Sequence, residues 1–240
     1  MVASVALREE NTFENAAIAQ TRGEVIARYR QLRAISKQHH SNVLKFVSGD
    51  AMMRHARRLG LVQGGTLVLD DIEEMHLAFD LAIHTAEAGR SRAIDRYAGS
   101  AQLAPGSDEA LVLEAMCRAR FSLVRVERRH EAAGLIVKDL IRKIEHWLVD
   151  EGLESSVPDG SVMATRLYTP ERFSMTAGVN IPVLFDLMAE VIDEVPQLRC
   201  KEINEAIDDR RFAEAFYRVA IANGTMAQVA YQDVPVWSKN

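Results

Sequence analysis

The chain has few cysteines, prolines and aromatic residues, and it has no long apolar run. Two cysteines, Cys117 and Cys200, occur in 240 residues, far apart and in no Cys-x-x-Cys pattern. That excludes a disulfide framework and a cysteine-built zinc site, and it points to a reducing compartment, the cytoplasm. No stretch approaches the roughly 20 apolar residues of a membrane-spanning helix. The first ten residues lack the basic lead and apolar core of a secretory signal, so no membrane partner is expected. Walker, Gly-x-Gly-x-x-Gly, Gly-x-Ser-x-Gly and His-Glu-x-x-His signatures are missing, which weakens the case for an enzyme without closing it. A net charge of −5 argues against a molecule drawn as a whole to nucleic acid or anionic lipid.

What is present suffices for a packed core. Hydrophobic residues make up 48% of the chain and charged residues 26%, a globular balance at a length of one to two domains. The residues at 13–37 favour helix, with Gly23 as an interruption. Ser48 caps a second helix that Arg57, Arg58 and Gly60 bring to a stop. A third is expected over 71–88, opened by Asp70 and Glu73 as a capping pair and closed by Gly89. Its apolar stripe is Ile72, Met75, Phe79, Ala82, Ile83 and Ala86. Short helices follow at 92–97 and, capped by Ser107, to Met116.

At Arg120 the period changes from helical to alternating. Five strands are expected between 121 and 179, at 121–126, 135–139, 144–149, 162–168 and 173–177, bounded by Gly134 and Pro158-Asp159-Gly160. Helix returns after Asn180, with Pro182 in its first turn and Pro196 at its end. Asp209 caps a last helix that Asn223-Gly224 terminates. The fold class is therefore α+β and mostly helical: an N-terminal helical region over 13–118, a small antiparallel sheet or SH3-like barrel over 119–179, and C-terminal helices over 180–224.

Charge is uneven. Residues 22–58 carry nine basic groups against two acids, and much of the compensating acid lies at 186–209. A basic N-terminal helix laid against acidic C-terminal ones, in one chain or in a second copy, would use this mismatch. It makes a non-catalytic interaction or structural protein, partnered by itself or by another protein, the leading expectation.

Two residue sets offer other chemistry. Glu73, His76, Asp80 and His84 recur every three or four residues, so they share one side of the third helix. Imidazole and carboxylate suit a divalent transition metal, and Glu-x-x-His occurs in bundle-type di-metal sites, although no second copy is present here. Unless another helix brings ligands, the strip is a solvated face needing no cofactor. Arg28, Arg30, Arg33, Arg54, Arg57 and Arg58 could instead contact the phosphates of a nucleic acid. Phe121, Trp147, Tyr168 and Phe173 are expected in the core of the β segment rather than on a recognition face.

Overall fold

A computed structural model describes residues 21–183, 187–196 and 201–225. The first described helix, α1 (Arg22–Val43), opens with a capping box between Thr21 and Glu24. Gly23 falls in its first turn, where it interrupts nothing, and the helix runs past Lys37 to Val43. A 3-10 turn (Leu44–Phe46) leads to α2 (Gly49–Arg58), whose N-terminus is capped by the Ser48 hydroxyl. Gln63-Gly64-Gly65, expected as a plain loop, forms a small hairpin between β1 (Val62–Gln63) and β2 (Thr66–Leu67). Gly64 and Gly65 both take positive φ, which a two-residue hairpin turn of this kind requires.

Helix α3 (Ile72–His84) is capped by Asp71, not Asp70; the Asp70 N–H instead donates to Glu74. Thr85 is already extended, so the helix stops five residues before Gly89. The expected stripe is met in part: Ala82 and Ile83 are buried, but Ile72 is 63% exposed, and burial extends to Leu77, Ala78, Asp80, Leu81 and His84. Helices α4 (Ala93–Ser100) and α5 (Asp108–Cys117) follow.

The large sheet holds β3 (Arg120–Arg129), β4 (Leu135–Asp139), β5 (Glu145–Leu148), β6 (Val162–Tyr168) and β7 (Met175–Pro182). Its order is β5-β4-β3-β6-β7, with every ladder antiparallel. Helix α6 (Glu151–Ser156), which the sequence reading lacked, connects β5 to β6 and is capped by Asp150. Pro182 ends a strand rather than starting a helix, because Val179 and Ile181 alternate inward and prolong β7. Helices α7 (Leu187–Glu194), α8 (Ile203–Asp208) and α9 (Arg210–Ala222) complete the described chain.

The five strands do not close into a barrel. An odd number of antiparallel strands can close only through a parallel pair at the edges. Among the described residues that seam is one isolated parallel bridge, Leu148 to Ser174. The sheet therefore curls until its edges touch at one end and stays open elsewhere.

Alternation sorts the strand residues onto two faces. Phe121, Leu123, Ala164, Val179 and Ile181 pack under α2, α3, α7, α8 and α9. Val124, Val126, Leu135, Val137 and Leu148 fill the opposite, concave side, covered by Leu153 and Val157. A further cluster joins α1, α4 and α5 and takes in Tyr168 and Phe173. Trp147 is half-buried, with its indole N–H donated to the Ala133 carbonyl at 2.7 Å. No helix among the described residues is long and apolar enough to cross a membrane.

Candidate functional site

Strand β6 places one arginine where strand logic expects an apolar residue. Arg166 lies two positions from Ala164, so it points to the same helix-covered face, and it is buried there. A buried guanidinium requires a partner. Asp80 of α3 supplies it through two N–O contacts of 2.9 Å each. The Tyr217 hydroxyl of α9 donates to the same carboxylate at 2.8 Å. Burial by itself would raise the Asp80 pKa, but Arg166 overrides that and holds it down to about 2. Burial, and then the Asp80 charge, push Tyr217 well above the usual phenol range.

One turn beyond Asp80 stands His84. It is 5% exposed, and neither ring nitrogen has a hydrogen-bond partner. Burial first, and the Arg166 cation second, keep this imidazole neutral. The His40 ring from α1 lies edge-on at 6.5 Å, and burial lowers its pKa too. His84 is the wall between two cavities. One, of about 500 Å³, is bordered by Lys37, His40, Leu44 and Phe79. The other, of about 740 Å³, opens between the end of α3, the start of β3 and the start of α9.

The larger cavity is lined by Arg92, Arg118, Arg120, Arg166 and Arg210, against Asp208 and Asp209. Three of the cations already have carboxylates: Arg92 has Asp95, Arg118 has Glu114 and Arg166 has Asp80. The two acids are also taken, Asp208 by Arg142 at 2.6 Å and Asp209 by Arg211 at 2.7 Å. Arg120 and Arg210 are exposed on the cavity wall, and among the described residues no carboxylate is paired to either. Cys117 also lines this cavity, and burial raises its pKa, so the thiol stays protonated at neutral pH.

The residues expected to hold a metal are dispersed among other tasks. His76 pairs with Glu73 at 3.0 Å near the surface, whereas Asp80 and His84 are buried, Asp80 on Arg166. Among the described residues, no three His, Cys, Asp or Glu side chains gather as a metal-holding group. The basic set is divided as well. Arg28 is braced by Asp108 and Glu171, and Arg30 by Glu151. Arg33 donates to the Thr176 carbonyl. On α2, Arg58 pairs with Glu214 at 3.2 Å, and Arg54 borders a further small cavity. So the acids that answer α1 come from the middle of the chain; among these pairs, only Arg58 with Glu214 joins the basic region to a C-terminal helix.

Residues 23–229 match a family of unknown function, DUF7986. This chain belongs to that family. The match takes in every element from α1 to α9, and with them the Asp80–Arg166–Tyr217 network and both cavities. No curated protein and no solved structure matches the chain.

The sequence reading missed Arg166, Tyr217, Arg120 and Arg210. A signal for the first was present. Between Val162 and Tyr168, period-2 alternation puts an arginine on the Ala164 face, which asks for a distant carboxylate. Nothing in the sequence named Asp80 as that carboxylate, 86 positions away.

Proposed function

We propose that this protein binds a small anionic ligand in the cavity bordered by Arg120 and Arg210. The observation that carries this reading is the pair of arginines, without a carboxylate partner among the described residues, on the wall of a cavity of about 740 Å³. That volume is in the range of small-molecule sites, roughly 300–1,000 Å³. Guanidinium forks match carboxylate and phosphate oxygens two at a time. The neighbouring charges favour an anion too, because Asp208 and Asp209 are already neutralised by Arg142 and Arg211. The wall supplies cations and hydrogen-bond donors, and the reading is of binding without chemistry. The cytoplasm is the proposed location, on cysteine usage alone.

A self-associating interaction protein is less well supported. Its motive was a basic N-terminal region seeking acids elsewhere, and Arg22, Arg28 and Arg30 find theirs within the chain at Glu154, Asp108 and Glu151. Nucleic-acid binding through α1 meets the same objection.

Thermal unfolding with citrate or phosphate, at ionic strength held constant with chloride, tests the proposal. A rise in Tm that grows with the logarithm of ligand concentration above Kd is expected, since a ligand at 100 times its Kd adds about 2.7 kcal/mol to stability. The Arg120→Gln/Arg210→Gln variant should melt near the wild type without ligand and lose the rise. Equal responses of variant and wild type would overturn the reading.

A further inference from the structure

A much smaller cavity adjoins the larger of the two that His84 separates. It measures about 80 Å³ and shares Thr85, Ala86 and Arg210 with its larger neighbour. Arg54 and Arg58 of α2, together with Arg90, Arg96 and Arg210, line it, and Glu87 is the one carboxylate in the lining. Arg58 has Glu214 beyond the wall. Arg96 donates to the backbone carbonyls of Ser91 and Phe46, and its charge is felt by Asp95, which Arg92 already pairs. Arg54, Arg90 and Arg210 are exposed, with no paired acid among the described residues. The Nδ1 of His55 is also buried on this wall, without a hydrogen-bond partner and 4.0 Å from Glu214.

So many guanidiniums around one small space repel each other. Solvent weakens that repulsion at the exposed arginines, and a counter-charge placed among them removes it. A group that relieves this must be small, strongly anionic and rich in acceptors. A phosphate carries a charge of about −1.5 to −2 and three acceptor oxygens, and several arginines can share it. The cavity has room for one such tetrahedral group and little more. The N-terminal end of α4, at Ser91 and Ala93, completes the wall with the electropositive end of a helix.

We infer that the ligand of the larger cavity is a phosphorylated molecule whose terminal phosphate occupies this smaller one, held by Arg54, Arg90, Arg96 and Arg210. The inference rests on the anion-binding reading of the larger cavity and adds the class of ligand. Arg210, common to both walls, bridges the body of the ligand and its phosphate. Glu87, standing at the rim, selects against ligands whose charge is not strong enough to outweigh it.

Isothermal titration calorimetry at fixed ionic strength, without divalent metal, separates the two ideas. The probes are citrate, orthophosphate and tripolyphosphate, and the variants are Arg54→Gln/Arg90→Gln and Arg120→Gln. All three substituted arginines are exposed, so the variants should fold, which circular dichroism melts check. Tripolyphosphate, a chain of linked phosphates that can present charge to the two adjoining walls at once, should bind at least about tenfold more tightly than orthophosphate. Arg54→Gln/Arg90→Gln should abolish that advantage and leave citrate binding unchanged. If citrate binds and depends on Arg120, while tripolyphosphate shows no advantage or ignores Arg54→Gln/Arg90→Gln, the phosphate inference falls and the larger anion site stands. If none of the probes binds the wild type, both fall.

Discussion

The Asp80 carboxylate and the Arg166 guanidinium lie side by side with both N–O distances at 2.9 Å, and neither side chain is more than 7% exposed. Through this pair α3 is fixed to β6, an inner strand of the sheet, and through the Tyr217 hydroxyl α9 is fixed to α3. Two buried charges cost several kcal/mol each to desolvate, and that cost is offset only while both partners are present. Removing one should be far worse than removing both. Asp80→Asn and Arg166→Met are each expected to destabilise by about 3–5 kcal/mol, and Asp80→Leu/Arg166→Met by clearly less than the sum. Urea unfolding measures all three. Additive losses would show that the two side chains are not energetically coupled.

Stability should depend on pH in two separate windows. His84 and His40 have lowered pKa values in the fold, both through burial foremost, His84 with Arg166 adding to it and His40 with Arg33. The unfolded chain binds protons at about pH 6.5, where these folded imidazoles do not. Their contribution is therefore complete above pH 6.5 and is lost as pH falls below it. The slope is at most about 1.4 kcal/mol per pH unit for each histidine. Asp80 acts lower down. Its carboxyl, held at about 2 in the fold, stabilises fully above the ordinary aspartate value near 3.9 and loses that contribution as pH falls toward 2. Urea midpoints at pH 7.5, 6.5 and 5.5 should fall on acidification, and His84→Asn should flatten the slope. A midpoint independent of pH over this range would contradict the burial of His84 as a neutral group.

Parts of this fold were legible because they are local. Ser48, Ser107 and Asp209 act as helix caps in the structure, and the strands at 135–139 and 162–168 have the expected bounds. Each of these follows from residues within a few positions of one another. The stripe on α3 is wider than its periodicity shows: Ala82 and Ile83 are buried as expected, and the sheet and α9 bury Leu77 and Leu81 as well. The short α6 was hidden between two strand-like stretches, although the Asp150 cap was readable. The larger cavity is built from the end of α3, β3, β6 and the start of α9, parts of the chain that only the tertiary fold brings together. The expected metal strip shows the same limit. Spacing placed Asp80 and His84 on one helix face correctly, but what that face meets is Arg166, a cation.

Gly134 is the glycine that packing makes irreplaceable. It takes φ of 81°, and a Cβ there would stand 2.3 Å from the Leu148 carbonyl oxygen. That carbonyl belongs to β5, next to the one bridge that joins the edges of the curled sheet. Gly134→Ala should lose more than the roughly 1–2 kcal/mol of a left-handed alanine, because backbone must also shift. Gly160→Ala, with similar φ and open space around it, supplies the control and should lose only the conformational part. Equal losses at the two positions would mean that the β5 contact is not tight.

The central claim is that Arg120 and Arg210 border a site for anions, and selenate in crystals of the full chain locates such a site directly. Selenium scatters anomalously, and the oxyanion has the shape and charge of sulfate and dianionic phosphate. An anomalous peak is expected in the larger cavity or its small neighbour, within hydrogen-bond distance of Arg120 or Arg210, and it should vanish in Arg120→Gln/Arg210→Gln. Selenate bound to other surface arginines, with both cavities vacant, would contradict the account.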